Sequence, residues 1–531
     1  MIKLSNLTGK PLLLLRENSE EFKDKRALKL NIEAIKTLAE SIQSTLGPKG
    51  LSKMVIDSLG DTVVSSDGAK ILEELLIENP AAKMIVDLSK TIFKKVGDGT
   101  SSGVIFIGEL MSKTEEMINN DISPTQIYDG FIHASREMKT IINKTAKKID
   151  IDDRKTLKNC AITSLNSKGL YDTKELFGDI VVDTILSIKE GEKQKITIDL
   201  DNVQIIKKQG EGLNSSRLIE GIIVDKEVVN PSMPKIIRNA KIALIDGALE
   251  IVKTEFSAEI KISTPNEIEA YLKKEEKMLE ELVEAIKNSG ANVVFCQKGI
   301  DETAQHFLSK SGIMAIRRVK NSDMKKLARA TKANIITKIK SISPADTGFA
   351  EIVSEQKIGK DYMIFLEKCK HPKSVTVLIR GGTEKIVDDA ERSLKNGLSA
   401  VKNLLECGKI VGGGGSIEIE LRKRLIEFAH KVGGKEQIAI EAFGDALEII
   451  PKILIENSGF DPLDVLTNLR SKVDYISEKI MGFDSFQGKI VNVMDEGIID
   501  PVKTKLEIYT LATELAVIFI RVDDYIKSGK K

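Results

Sequence analysis

The residues best suited to chemistry in this sequence gather at a few glycine-marked turns. Gly97-Asp98-Gly99-Thr100-Ser101-Ser102 precedes an apolar run over residues 104–111. Bare amides, hydroxyls and the positive end of a helix dipole therefore meet at one place, which suits phosphate. Asp98 is ill suited to touch phosphate directly but well suited to a Mg²⁺ ion that bridges phosphate oxygens. An Asp-Gly turn that simply caps a helix is the alternative reading. Ser66-Asp67-Gly68 offers a second carboxylate with the same two readings. Thr45-Leu46-Gly47-Pro48-Lys49-Gly50 follows a helical stripe of Ile35, Leu38 and Ile42. Its glycines let backbone amides approach a ligand, although the turn also reads as a helix end followed by proline. Residues 410–416 contain four consecutive glycines, where backbone can press against a nucleotide. Several such loops converging would be improbable by chance. Gly-x-x-x-x-Gly-Lys-Ser/Thr is absent, which excludes an ordinary P-loop enzyme.

The elements that must position these turns follow from the apolar pattern. Residues 30–142 read as mostly helical, and the helical pattern returns beyond Ala400. Between about 242 and 336, short apolar strands (242–245, 293–296, 313–319 and 335–336) alternate with amphipathic helices. Two helical ends around an α/β insert predict one discontinuous domain built from both termini. Residues 265–287 read as a helix with Pro265 in its first turn and Ser289-Gly290 as its stop. Its apolar face, Leu279, Leu282, Val283 and Ile286, occupies the second half only and the middle over 273–277 is wholly charged, so the first half is expected to project into solvent. The apolar segments 12–15 and 518–522 are expected to pair as strands.

Bulk properties narrow the function classes. At 531 residues the chain suggests about two to four domains. Its 80 basic and 79 acidic residues leave a net charge of +1, and it has 4% aromatic residues with no Trp, a poor basis for binding nucleic acid. Cys160, Cys296, Cys369 and Cys407 show no Cys-x-x-Cys spacing and read as reduced, mostly buried thiols. No segment reaches the ~20 apolar residues of a membrane span. With no signal peptide evident near Met1, the expectation is a soluble, intracellular protein.

These turns, in this order, resemble the group II chaperonins, and most closely the archaeal thermosome subunits. The resemblance runs through residues 44–50, Asn79-Pro80-Ala81-Ala82-Lys83-Met84, residues 97–100 and Thr163-Ser164-Leu165-Asn166-Ser167-Lys168. It continues through Val224-Asp225-Lys226, Gln297-Lys298-Gly299-Ile300-Asp301, Ile379-Arg380-Gly381-Gly382-Thr383 and residues 449–459. It implies a chaperonin architecture: a mainly helical, discontinuous equatorial domain (1–147 and 403–531), a small intermediate domain (148–216 and 367–402) and an α/β apical domain (217–366). A helical lid protrusion is implied at about 250–278. The implied activity is an ATP-dependent, cytoplasmic folding machine, a double ring of paralogous subunits that encloses unfolded or partly folded proteins. ATP and Mg²⁺ are the implied cofactors. By similarity, Thr45, Leu46, Gly47 and Pro48 line the nucleotide pocket, Gly99, Thr100, Ser101 and Ser102 surround the phosphates, and Asp98 holds the metal. Gly413, Gly414 and Asp500 face the nucleoside, Asp67 orients the attacking water, and Lys168 senses the γ-phosphate.

One departure bears on catalysis. After Glu391-Arg392-Ser393-Leu394-Lys395, where the family carries a second water-activating aspartate, this chain has Asn396. An amide cannot accept a proton, so hydrolysis should suffer more than binding. Leu394, Leu398, Val401 and Leu405 form the buried stripe of that helix, which leaves Asn396 free to look toward a nucleotide. Two readings stay open: a chaperonin with slow but useful turnover, and an ATP-binding structural subunit that leaves hydrolysis to paralogues. The substitution leans toward the second. Lys70, Lys94 and Lys95 also replace less basic residues of the family and could alter the balance of charge at Asp98.

Overall fold

The computed structural model describes residues 20–22, 25–56, 60, 62–166, 170, 172–191, 196–251, 265–369, 374–472, 479–522 and 525–527. The chain divides into two compact units, one formed by Met1–Gly178 with Arg392–Lys531 and the other by Asp179–Glu391.

The first unit is a helical assembly around Thr100–Asn119, which packs against the helices Lys25–Gln43, Pro80–Val96, Gly434–Leu447 and Val502–Ile520. Val104, Ile105, Phe106, Ile107, Leu110 and Met111 are all buried, so this helix is apolar around most of its circumference, as a central helix must be. Pro80–Val96 starts where Asn79 accepts a hydrogen bond from the Ala82 amide and Pro80 occupies the first turn. It stops at Gly97, whose φ of 71° is left-handed.

Small β elements interrupt the helices where periodicity gave no warning. Lys53–Ile56 and Thr62–Ser65 form a hairpin, and Met481–Asp484 pairs with Lys489–Asn492. Lys409–Gly412 lies between Ile499–Pro501 and Lys147–Lys148. The expected strand at 518–522 is corrected: Ile518 to Ile520 complete the helix Val502–Ile520. Ile508, Ala512, Leu515, Ala516 and Phe519 keep a helical burial rhythm to its end, and that packing outweighs the β-branched run. Residues 12–15 lie outside the described residues. The observed terminal pairing is Glu20–Phe22 with Tyr525–Lys527, antiparallel.

The second unit is α/β. A seven-stranded mixed sheet runs Met314–Ile316, Val293–Cys296, Ile236–Ile245, Gly348–Ile358, Asp361–Glu367, Gly221–Val224, with Ile335–Ile336 beside Ile236–Ile245. The parallel register sets Ile242 opposite Val293 and Val293 opposite Met314. Val375–Gly381 is flanked by Val203–Gln209 and Arg217–Ile219 in a second sheet. The helix Pro265–Asn288 buries Leu279, Val283 and Ile286, the apolar face expected in its second half, and exposes Tyr271 and Met278.

Among the described residues no helix is long and apolar enough to cross a membrane. All four cysteines are free. Burial pushes the Cys296 thiol up to about 11 and Cys369 up to about 12, leaving both unreactive near neutral pH.

Candidate functional site

Within the first unit the glycine turns converge on a cavity of about 480 Å³. One wall is the entry to the Thr100–Asn119 helix. Gly97 and Gly99 both take left-handed φ, and a Cβ on Gly99 would lie 2.1 Å from Ile508 Cδ1. Only glycine fits there, and Gly99 begins the helix without a side-chain cap. Asp98 sits between them. Its Oδ1 accepts from the Gly99 amide at 2.8 Å and its Oδ2 from Ser164 Oγ at 2.6 Å. Ser164 comes from the Arg154–Leu165 helix, which also presents Asn159 and Thr163 to the cavity.

A second wall is the Thr45 turn. Gly47 has φ 86° and the Gly50 amide returns to the Gly47 carbonyl at 3.0 Å. Asn457 Nδ2 clamps the turn by donating to the carbonyls of Gln43 (3.0 Å) and Leu46 (2.8 Å), a role its sequence context did not announce. A third wall follows the strand Lys409–Gly412. Gly414 and Gly415 turn left-handed into the helix Ser416–Val432, so a second helix N-terminus starts at the cavity. Phe483, Phe486 and Ile498 provide an apolar end. Lys174 Nζ lies over the Phe486 ring, 4.9 Å from its centroid.

Most of the residues singled out from sequence meet here. Leu46, Gly47, Pro48, Asp98, Gly99, Ser102, Gly414 and Asp500 line the cavity. Thr45, Asp67, Thr100 and Ser101 line an adjoining recess of about 70 Å³, which shares Leu46, Gly47, Asp98, Gly99 and Ser102 with it. Asp67 caps the short helix behind it, its Oδ1 accepting from the Lys70 amide at 3.1 Å. Gly413 stands just behind the wall, where an added Cβ would be 3.3 Å from Asp500 Oδ2. Lys168 lies outside the described residues. The expectation that Asn396 is free to look toward a nucleotide is corrected: it is only 1% exposed, buried like Ser393, Leu394 and Leu398 of the same helix, and lines neither hollow. Two of the added lysines are occupied elsewhere: Lys70 pairs with Glu74, and Lys95 with Glu507 at 3.1 Å.

Sequence reading missed a buried polar network behind Asp500. Lys505 Nζ lies 2.8 Å from Glu418 Oε1 and 3.1 Å from Asp500 Oδ2, and the Tyr509 hydroxyl donates to the same Glu418 oxygen. Burial raises the Asp500 carboxyl above its ordinary range, and Lys505 opposes that rise. Burial works against the Lys505 charge, yet Asp500 and Glu418 together hold the ammonium well above its usual value. Burial and the Glu418 charge push the Tyr509 phenol well up, so it stays a donor. The available signal was Lys505 and Tyr509 at i, i+4 on one helix, with Glu418 in the first turn after the glycine run.

Residues 38–530 match the TCP-1/cpn60 chaperonin family. The chain is 46% identical over 527 residues to a thermosome subunit of Pyrococcus horikoshii, a span covering 99% of this chain and 96% of that one. It is 46% identical over 529 residues to thermosome subunit beta of Thermococcus kodakarensis, covering 99% and 96% of the two chains. Against thermosome subunit alpha of Archaeoglobus fulgidus the identity is 45% over 523 residues, covering 98% and 96%. The walls of the cavity, from Leu46 to Ile508, all fall inside the matched span, and the chain belongs to the TCP-1/cpn60 chaperonin family.

Proposed function

We propose that this chain is one subunit of a ring-shaped, ATP-dependent chaperone that binds unfolded or partly folded proteins and encloses them while they fold. The observation that carries the reading is the meeting of two glycine-started helix N-termini and Asp98 at one cavity with an apolar end. That donor set fits a nucleoside triphosphate with its cation: amides and hydroxyls for phosphate, a hard carboxylate for Mg²⁺, and Phe483 and Ile498 for a base. The volume lies within the ~300–1,000 Å³ usual for such ligands.

In this reading Asp98 holds Mg²⁺ and Ser164 keeps its carboxylate aimed. When bound, Mg²⁺ draws charge from the phosphate oxygens and so favours attack at the terminal phosphorus. Thr45, Leu46, Gly47 and Pro48 wall the nucleotide, Gly99, Thr100, Ser101 and Ser102 donate to the phosphates, and Lys168 senses the terminal one. Gly413, Gly414 and Asp500 face the nucleoside, and Asp67 orients the attacking water. The chain works in the cytoplasm, in a double ring with paralogous subunits. Its equatorial part comprises 1–147 and 403–531, its intermediate part 148–216 and 367–402, and its apical part 217–366 with a lid near 250–278. The purified protein is expected to suppress aggregation of a denatured client and to release it folded only when ATP is supplied. Release independent of ATP would refute the reading.

Asn396 lines neither hollow, and it is by resemblance alone that we attribute a reduced rate to it. The relatives do not favour a purely structural subunit, and we assign this chain a slow but useful turnover. Asn396→Asp restores a proton acceptor and is expected to raise phosphate release by the purified ring toward ~10²-fold, the lower end of general-base catalysis. An unchanged rate would remove the reason to hold Asn396 responsible.

ATP is also expected to bias the lid through hinges near 146–150 and 400–405, a two-state closure driven by ligand. Hydrogen exchange along Pro265–Asn288 should slow on adding ATP, most of all around the exposed Tyr271 and Met278. Identical exchange with and without nucleotide would contradict closure.

A further inference from the structure

The network behind Asp500 has no part in the roles above, and its construction is costly. Glu418 is a charged side chain with 0% exposure, and Lys505, whose inner end reaches it, lines the cavity with little of its side chain exposed. Replacing such groups by apolar residues of similar volume is often neutral or stabilising, so packing alone does not account for them. What they do is pin a single carboxylate in the cavity wall. The backbone of Asp500 is held by antiparallel pairing opposite Val411. Its side chain is held by Lys505, which grips Oδ2 at 3.1 Å. Lys505 is fixed in turn by Glu418 at 2.8 Å, and Glu418 by the Tyr509 hydroxyl. Tyr509 itself is locked edge-on to Phe106 at 5.1 Å, and Phe106 edge-on to Phe443 at 5.4 Å. An unbroken series of contacts thus runs from the aromatic core to the cavity. Lys505 already shares its charge between two carboxylates, which makes it a poor phosphate ligand.

We infer that Lys505 is a positioning residue for sugar recognition: braced by Glu418 and Tyr509, it aims the Asp500 carboxylate at the ribose hydroxyls of a bound nucleotide and gives the site a preference for ribonucleotides. The inference rests on the nucleotide reading of the cavity and goes beyond it. A carboxylate with one oxygen held by an ammonium keeps acceptor capacity on the other, and two vicinal hydroxyls are natural donors to it. A freely rotating carboxylate would lose rotamer freedom at each binding event, whereas a braced one has lost it already on folding.

The test compares dissociation constants of ATP and 2′,3′-dideoxy-ATP for the full-length protein and its Lys505→Gln, Lys505→Arg and Glu418→Gln/Lys505→Gln variants. The unaltered protein should prefer ATP by about 10- to 100-fold, the range for hydrogen bonds to a charged group. Lys505→Gln should bring that ratio to within about threefold by weakening ATP alone, while Lys505→Arg, still a charged donor, keeps most of it. The double variant removes the uncompensated buried charge and is expected to fold and to lose the preference too. Equal loss for both nucleotides, or a ratio unchanged by Lys505→Gln, would mean that Lys505 serves only to balance charge. No binding of ATP by the unaltered protein would instead overturn the nucleotide reading itself.

Discussion

Replacing Asp98 by asparagine is expected to slow phosphate release by at least about 10³-fold, the loss that follows when several kcal/mol of metal-borne charge stabilisation is removed. The substitution is nearly isosteric. The carbonyl oxygen of the new amide can still accept from the Gly99 backbone, and its NH₂ group can donate to Ser164 Oγ in place of the acceptor now 2.6 Å away. The left-handed glycines on either side are untouched, so the loop keeps its path. What disappears is the negative charge that a divalent cation requires. Initial rates measured across a Mg²⁺ titration decide the matter: the Asp98→Asn variant should remain slow at saturating Mg²⁺, with its circular dichroism unchanged. Activity within about tenfold of the parent would remove Asp98 from the metal site and leave it a helix-entry residue. The contrast with Asn396→Asp is informative, since one change deletes a carboxylate and the other adds one at a position that resemblance alone makes catalytic.

The second large effect is expected in the core. Phe106→Ala should destabilise the first unit by about 3 to 5 kcal/mol, because a fully buried ring is lost and the helices around it cannot collapse into the gap. Phe106 touches Phe443 and Tyr509 edge-on, and the lost ring contacts add to the cost. A urea titration of the full chain should show the transition of the helical unit moving to lower denaturant, with that of the α/β unit unmoved. A loss below about 1 kcal/mol would mean that the ring sits in a region able to repack. The same variant loosens Tyr509, so the preference for ribose over dideoxyribose should fall with it even where binding survives.

The relation between sequence and structure is clearest at three places. The helix Pro265–Asn288 was legible with its bounds and its half-supported face, because Pro265, Ser289-Gly290 and the apolar spacing act locally. The strands Val293–Cys296 and Ile335–Ile336 and the last four residues of Ile236–Ile245 were legible because each is a short apolar run between helical patterns. The end of the chain misled: residues 518–522 look like a strand, and packing of the preceding turns carried the helix through Ile520.

The glycine turns themselves, Asp98 among them, were marked by residue type, since left-handed backbone and bare helix amides are local demands that few residues meet. Their meeting in one cavity was not, because residues near 47, 98, 164, 414 and 500 are joined only by the packing of the helices that carry them. Nor was the bracing of Asp500. Glu418, Lys505 and Tyr509 are ordinary polar letters along the chain, and they become a network only when tertiary packing excludes water from around them. Local preference can be read residue by residue, whereas burial and the charge partners it enforces belong to the assembled fold.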